Sequence, residues 1–215
     1  MKNKEIIFFD LDGTITDSKK GIFNSIKYVL DFYKIEERDE NILIKFLGPP
    51  LKDSFMKYFN MSEKQAIEAV AKYREYYRVK GIFELSVYDG AEEMLKKLKE
   101  NGKTVCLATS KPQEFAESIL KRHDLLKYFD FLAGATMDEK RNEKDLVIKY
   151  AIEQNSFNKE KIVMIGDREN DILGAKINGI DSIGVLYGYG DEEELKKAGC
   201  KSFAKSTSEV TDLLI

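Results

Sequence analysis

The sequence has few of the residues that build disulfide frameworks, zinc sites or histidine-centred catalysis. Its 215 residues include two cysteines and one histidine. Cys106 lies in an apolar run and Cys200 follows a glycine near the end of the chain, so the cysteines show neither metal-ligand spacing nor a disulfide framework. His123 lies at a predicted helix end, where the helix dipole or a surface contact explains a histidine without catalysis. We therefore expect other side chains to carry the chemistry.

The sequence also lacks a long apolar segment and an excess of positive charge. No run is long enough to span a bilayer, and Met1 to Lys4 lead into a short strand-like run that does not resemble a secretory signal. The 35 Lys and Arg residues against 38 Asp and Glu residues give a net charge of −3, without a basic surplus for nucleic acid. The sequence predicts a cytoplasmic protein with no nucleic-acid or membrane partner, acting as a monomer or homodimer.

Short apolar runs alternate with helical patterns along most of the chain. The strand candidates are residues 6–10, 104–109, 129–133, 161–166 and 182–186, and helical spacing separates them, as in residues 91–100 and 112–122. This alternation predicts an α/β fold with a Rossmann-like parallel sheet core and helices on both faces. The length and the 43% share of hydrophobic residues suffice for a substantial core.

The pattern changes between the first two strand candidates, where only helical spacing occurs. Gly48-Pro49-Pro50 breaks this region between two predicted helices. We therefore predict a small α-helical cap domain inserted after the first strand. The expected domains are residues 1–17 and 88–215 for the α/β core and residues 18–87 for the cap.

Two carboxylates stand where the first apolar run ends. Asp10 and Asp12 can project to the same side because side chains alternate along a strand, and Gly13 lets the chain turn. In open α/β sheets, ligands bind at the carboxyl ends of the strands. Taken alone, the pair fits a solvated strand end as well as it fits a site.

Complementary groups follow the later apolar runs. Thr109 and Ser110 follow the run 105–108, where they are suited either to binding an anion with free backbone amides or to capping the next helix. Asp167 and Asp171 follow the run 162–166, and their spacing of four residues places them on one face if a helix begins there.

A cation between these runs completes the set. Lys144 lies near the start of the helical stretch 143–154, where a positive charge opposes the helix dipole and needs another explanation. Lys140 and Arg141 are close enough in sequence to be alternatives. The loop Tyr187-Gly188-Tyr189-Gly190 does not make a dinucleotide fingerprint, and we expect it to shape the edge of the sheet.

In these residues the chain resembles the haloacid dehalogenase superfamily of phosphotransferases over nearly its whole length. The four motifs of that family fall on Asp10 with Asp12, on Thr109, on Lys144, and on Asp167 with Asp171. The early helical insertion and the segment from Gly166 to Asp171 resemble the phosphoglycolate phosphatase branch.

The resemblance implies a role for each matching residue. Asp10 is the expected nucleophile, which forms an aspartyl-phosphate, and Asp12 gives a proton to the departing alcohol and later takes one from water. Thr109 and Ser110 are expected to bind phosphate oxygens. Lys144 is expected to link the nucleophile and the phosphate as a fixed positive charge.

The resemblance also implies a Mg²⁺ cofactor. A phosphate monoester is anionic, so a carboxylate can approach it only when the negative charge is compensated, and Mg²⁺ prefers oxygen ligands. Asp10 and Asp167 are the first expected ligands. The backbone carbonyl of Asp12 is a further one, and Asp171 binds either the metal or a metal-bound water.

The expected function is a Mg²⁺-dependent phosphatase acting on a small phosphorylated metabolite similar to phosphoglycolate. A 5′-nucleotidase or pyrophosphatase would use the same core, and a sugar-phosphate mutase resembling β-phosphoglucomutase would pass the phosphoryl group to another hydroxyl. Ser110 stands where many members of the branch have Asn, which leaves the substrate open. A dehalogenase is disfavoured because Asp12 has little use without a leaving group that needs a proton. A binding module without turnover is disfavoured because the full set of acidic residues and Lys144 is retained.

Overall fold

The computed structural model describes residues 1–36, 39–138 and 140–215. They form two compact units, one from Met1–Thr16 with Val87–Ile215 and the other from Asp17–Ser86. We call them the core unit and the helical unit. Each division falls one residue before the domain boundary expected from the sequence.

The core unit contains a six-stranded parallel sheet with the strand order β5-β4-β1-β6-β7-β8. The described strands are β1 (Ile6–Phe9), β2 (Thr16–Asp17), β3 (Ser86–Val87), β4 (Thr104–Pro112), β5 (Phe131–Ala135), β6 (Ile162–Gly166), β7 (Asp181–Val185) and β8 (Phe203–Ala204). Strands β2 and β3 pair with each other in a separate two-stranded sheet. The predicted α/β fold class is confirmed.

Strand β1 occupies the middle of the sheet because both of its faces are apolar. All four of its residues are buried, and in the register Phe8 lies beside Cys106 of β4 and Met164 of β6. A strand buried on both faces needs a continuous apolar sequence, and the run Ile6-Ile7-Phe8-Phe9 provides one.

The strand predictions differ from the structure at several strand ends, and the two-residue strands β2, β3 and β8 were not predicted. The expected strand 129–133 begins two residues later, because the amide of Phe129 donates to the carbonyl of Leu126 and closes a short 3₁₀ turn before β5. Strand β8 was not predicted, and its two residues are too few to show a period of two.

Helices surround the sheet and form most of the helical unit. The described helices are α1 (Lys19–Phe32), α2 (Glu40–Leu43), α3 (Leu51–Phe59), α4 (Glu63–Val79), α5 (Ala91–Glu100), α6 (Gln113–Arg122), α7 (Lys144–Asn155), α8 (Glu169–Asn178), α9 (Glu192–Ala198) and α10 (Thr207–Leu214). Short 3₁₀ helices lie at Ile44–Phe46, Gly81–Phe83, Leu126–Tyr128 and Lys159–Lys161. Among the described helices, none combines the length and the apolar character that crossing a membrane requires.

Local signals set the ends of several helices. Ser62 begins α4 with a capping box, in which its hydroxyl accepts from the amide of Gln65 and the Gln65 side chain accepts from the amide of Ser62. Helix α3 follows Pro50 directly, so the Gly-Pro-Pro break separates it from the 3₁₀ helix before it. Within the helical unit, α4 packs against both α1 and α3.

Helix α7 anchors the main hydrophobic core of the sheet. It packs on β4, on β5 and against α8, and its Ile148 joins a buried cluster with Phe8, Ala108 and Met164. The parallel sheet brings the carboxyl ends of β1, β4 and β6 side by side at one edge. The residues that follow these three strands therefore lie near one another.

We predict that Ile148→Ala lowers the free energy of unfolding by about 2–5 kcal/mol, because it leaves a cavity in this cluster. Ile177 of α8 is the matched control, since it is 70% exposed and also helical. Ile177→Ala should change stability by no more than about 0.5 kcal/mol. Urea-induced unfolding measures both, and equal losses for the two variants would contradict the assignment of this core.

Candidate active site

Three buried carboxylates converge at the edge where β1 and β6 end. Asp10 follows β1, Asp167 follows β6, and Asp171 lies in the first turn of α8. One carboxylate oxygen from each of the three lies within 4.8 Å of the others. The structure thus brings together three of the four residues that the sequence predicted as metal ligands.

The ammonium of Lys144 links two of these carboxylates to the sheet. Its Nζ lies 2.7 Å from Asp10 Oδ1 and 2.8 Å from Asp171 Oδ1, and it donates to the carbonyl of Ala108 at 3.0 Å. The contacts with the two carboxylates are ion pairs, and the contact with the Ala108 carbonyl is a hydrogen bond. Lys144 is the first residue of α7 and is 5% exposed, so its charge is committed to this cluster rather than to solvent.

The alternatives to Lys144 lie elsewhere. Lys140 is a surface residue whose Nζ pairs with Asp138 at 3.1 Å. Arg141 donates from Nε to the carbonyl of Gly134 at 3.0 Å and lies over the ring of Tyr150, 3.6 Å from its centroid. The cation that contacts the carboxylates is therefore Lys144.

The carboxylate of Asp167 is held by the loop that follows β7. Its Oδ2 accepts from the amide of Tyr189 at 2.7 Å. A Cβ on Gly188 would lie 2.3 Å from the Asp167 Cβ, so only glycine fits this approach. On the other side Gly13 has a φ of +90°, and a Cβ there would lie 2.2 Å from Asp167 Oδ2. The expectation that residues 187–190 shape the edge of the sheet is therefore wrong, because β7 is an interior strand and the loop after it supports Asp167.

Asp171 reaches the cluster by a route that the sequence interpretation did not anticipate. Helix α8 begins at Glu169, so Asp167 precedes it and the two aspartates do not share a helical face. Instead, Asp171 folds back, and its Oδ2 accepts from the amide of Arg168 at 3.1 Å while Oδ1 faces Lys144. Glu194 of α9 steadies this turn, accepting from Arg168 Nε at 2.8 Å and from the amide of Glu169 at 2.9 Å.

The side chain of Asp12 is not part of the group formed by Asp10, Asp167 and Asp171. Its Oδ2 lies 2.5 Å from Nζ of Lys111, a residue of β4 that the sequence interpretation did not single out. The three-carboxylate group does not include the Asp12 side chain, and the ligand expected from this residue is its backbone carbonyl. That expectation stays a prediction.

Thr109 and Ser110 lie inside β4, before the helix. Helix α6 begins at Gln113, and the Thr109 hydroxyl accepts from the amide of Lys111 at 3.2 Å. The alternative interpretation of Thr109 as a helix cap is therefore wrong. Thr109 is buried at the strand end and Ser110 is half-buried beside it.

Burial and mutual repulsion raise the proton affinity of this group. Burial raises the pKa of Asp10 to about 6, with the Asp171 charge acting in the same direction and Lys144 opposing it. Burial, together with Asp171 and Asp10, holds the pKa of Asp167 well above its usual range. Burial lowers the pKa of Lys144, but Asp10 and Asp171 outweigh this effect and raise it. Three buried acids around one ammonium leave an excess of negative charge.

The residues fit a hard divalent cation. All three converging side chains offer carboxylate oxygens, which are the ligands that Mg²⁺ prefers, and no sulfur or imidazole competes among them. A bound cation would offset the excess negative charge that Lys144 leaves. The donor set therefore suits a divalent metal.

Several supporting residues escaped the sequence interpretation. Lys111 and the loop 187–190 contact predicted site residues, and Glu194 contacts Arg168 and Glu169 between Asp167 and Asp171. Each of them belongs to a residue type or a turn that is common on surfaces. The sequence offered one signal for the loop, because the loop follows an apolar run, as Asp10, Thr109 and Asp167 do. Nothing in the local sequence marks Glu194, which acts through contact with another helix.

Comparison with known proteins agrees with this geometry. The family model described as haloacid dehalogenase-like hydrolase matches residues 7–185. A Pseudomonas aeruginosa protein named 5′-nucleotidase is 42% identical over 190 residues, which cover 88% of this chain and 86% of that protein. The crystal structure of a predicted phosphatase from Clostridium acetobutylicum has 45% identity and a TM-score of 0.95, covering 98% of this chain and 97% of that one.

Two further relatives have different names. The tyrosine-protein kinase PtkA of Mycobacterium tuberculosis is 33% identical, with 91% of this chain and 67% of that protein covered. A phosphoglycolate phosphatase of Vibrio parahaemolyticus is 28% identical, with 98% and 96% covered. The names of these relatives give different activities. The chain belongs to the haloacid dehalogenase-like hydrolase family.

Proposed function

We propose that this hydrolase is a magnesium-dependent phosphatase that acts on a small phosphorylated metabolite through an aspartyl-phosphate on Asp10. The observation that carries the proposal is the buried group of Asp10, Asp167 and Asp171 around Lys144 at the end of the central strands. The relatives named as phosphatases and as a 5′-nucleotidase support the phosphate monoester as the substrate class.

Asp10 is the proposed nucleophile. It lies directly after β1, and its amide donates to the carbonyl of Ile165 at 2.9 Å, which fixes its backbone against β6. Lys144 holds Asp10 Oδ1, so the other oxygen is the one proposed to attack phosphorus. This attack forms the bond between the carboxylate oxygen and phosphorus as the bond to the leaving alcohol breaks.

Asp12 is the proposed proton carrier. In the first half of the reaction it gives a proton to the departing alcohol oxygen. In the second half it takes a proton from the water that attacks the aspartyl-phosphate and releases Asp10. Only Leu11 separates it from Asp10 along the chain, in the turn that follows β1.

The remaining residues bind the phosphate and the metal. Thr109 and Ser110, with their backbone amides at the end of β4, are proposed to donate to phosphate oxygens. Asp10, Asp167, Asp171 and the backbone carbonyl of Asp12 are proposed to hold Mg²⁺. When bound, Mg²⁺ compensates the negative charge of the carboxylates and of the phosphate so that the two can approach.

The substrate class can be ordered from the comparisons. We place nucleoside 5′-monophosphates first, because the relative named 5′-nucleotidase is 42% identical, whereas the phosphoglycolate phosphatase is 28% identical. Phosphoglycolate comes second. A panel containing both, with kcat/KM as the readout, distinguishes them, since kcat/KM ratios report differential binding of transition states. Formation of an isomerised sugar phosphate with little free phosphate would point instead to a mutase.

We predict that Asp10→Asn lowers phosphate release from the best ester by about 10³-fold or more, because the amide cannot form the covalent intermediate. Asp212→Asn, an exposed change of the same kind in α10, should leave the rate unaltered. Mass spectrometry after a rapid acid quench should find the phosphoenzyme only with Asp10 intact. Full activity of Asp10→Asn, with deamidation and contaminating phosphatase excluded, would refute the nucleophile assignment.

The same variant should be more stable than the wild type when no metal is present. Because the pKa of Asp10 rises from 3.8 to about 6, its ionisation at pH 7 costs the folded state about 3 kcal/mol relative to the unfolded chain. A raised carboxyl pKa favours folding at low pH and penalises it as pH increases from about 4 to 6. In the presence of a chelator, urea unfolding should give Asp10→Asn a higher free energy of unfolding than Asp212→Asn at pH 7. The difference should disappear near pH 4. A difference in free energy of unfolding that does not change with pH would contradict the ionisation of Asp10 as its cause.

Magnesium binding should weaken as pH falls through about 6. The metal binds ionised carboxylates, so protons compete with it once Asp10 becomes protonated. Calorimetric titration with MgCl₂ should show tighter binding at pH 7.5 than at pH 5.5, and a proton released per metal bound at the lower pH. Affinity that does not change with pH would exclude Asp10 as a ligand.

A further inference from the structure

Lys111 is a second buried lysine at the active site, and the mechanism above assigns it no role. It is 8% exposed and lies two residues beyond Thr109 in β4. Its Nζ lies 2.5 Å from Asp12 Oδ2, and its amide donates to the Thr109 hydroxyl at 3.2 Å. Backbone and side chain of one residue thus contact two proposed site residues.

The two lysines serve different carboxylates. Lys144 contacts Asp10, Asp171 and the carbonyl of Ala108. Lys111 pairs with Asp12, where the side chains are 6% and 16% exposed. An ion pair this well shielded from solvent is screened by salt less than the exposed pairs on the surface helices.

The location of this pair explains why Asp12 needs a partner. Asp12 lies in the turn after β1, next to Gly13 with its left-handed φ, and outside any helix or strand of the main sheet. A proton carrier must lie within hydrogen-bond reach of the oxygen that it serves, and geometry comes before proton affinity in deciding its efficiency. Strand β4 lies beside β1 in the sheet, so a side chain from β4 can fix a group just beyond the end of β1.

We infer that Lys111 is a positioning residue for Asp12: it fixes the Asp12 carboxylate where the leaving alcohol and the attacking water exchange protons. The inference rests on the proposed function, because it concerns the proton carrier of that reaction. The expected size of the effect is set by geometry, since a misplacement of about 1 Å in a reacting group costs about 10²-fold in rate.

The test compares Lys111→Met with the wild type on two esters. An alkyl phosphate has a leaving group that needs a proton, whereas 4-nitrophenyl phosphate has one acidic enough to leave without it. Because kcat/KM includes only the steps through departure of the leaving group, it isolates the first proton transfer. Lys111→Met should lower kcat/KM for the alkyl ester by about 10- to 100-fold and change it less than about threefold for the aryl ester.

Three further variants separate positioning from a structural role or from phosphate binding. Lys111→Arg, which keeps a cation in place, should recover most of the alkyl-ester activity. In an Asp12→Asn background, Lys111→Met should cause little further loss, because the residue that it positions is already disabled. Lys103→Met is the matched control, since Lys103 precedes the same strand at its other end and donates to the carbonyls of Lys2 and Lys4. Thermal unfolding of each variant checks that the protein is folded.

The possible results identify which idea fails. The inference would be overturned if Lys111→Met lowered kcat/KM equally for both esters, or if it caused the same loss in the Asp12→Asn background as in the wild type. Either result would show that Lys111 binds phosphate. A Lys111→Met enzyme with wild-type activity on both esters would overturn it as well. If the wild type hydrolyses neither ester with Mg²⁺ present, the proposed function fails, whereas an active wild type with an unchanged ester ratio defeats only the role of Lys111.

Discussion

The ion-pair network of Lys144 with Asp10 and Asp171 is the interaction on which the rest of the site depends. Like charges close together in a buried place repel strongly, so three carboxylates can share one pocket only if cations accompany them. A single ammonium supplies part of that compensation. Burial and the remaining repulsion among the acids raise the pKa values of Asp10 and Asp167, and a bound cation would oppose both shifts.

Much of the surrounding structure holds these charges in place. Gly13 and Gly188 leave room on either side of Asp167, and the amide of Tyr189 supplies a hydrogen bond to it. Glu194 keeps the turn before α8 in the shape that points Asp171 toward Lys144. Burying these acids lowers the free energy of unfolding, and it does so at the place where the proposed chemistry needs them. Such a trade between stability and function is common.

The parallel sheet accounts for the predictable part of the molecule. Strand β1 could be predicted from four consecutive apolar residues, and α5 matches its predicted range because its apolar residues keep helical spacing over residues 91–100. Asp10, Thr109 and Asp167 were found because each follows such an apolar run, and the topology brings the ends of adjacent strands together. The less predictable parts depend on contacts between distant segments. Asp171 reaches Lys144 by folding back on its own turn, and the loop after β7 supports a residue that follows β6.

The sequence by itself determined the alternation of strands and helices, the helical insertion and the residue types gathered at the strand ends, because these depend on local periodicity and on the order of motifs. Only the tertiary structure decided which cation serves which acid. Lys111, Lys140, Arg141 and Lys144 all carry a positive charge, but folding buries Lys144 against Asp10 and Lys111 against Asp12, and leaves Lys140 exposed. The physical reason is that ion pairing inside a protein is set by distance and burial, which local sequence does not encode.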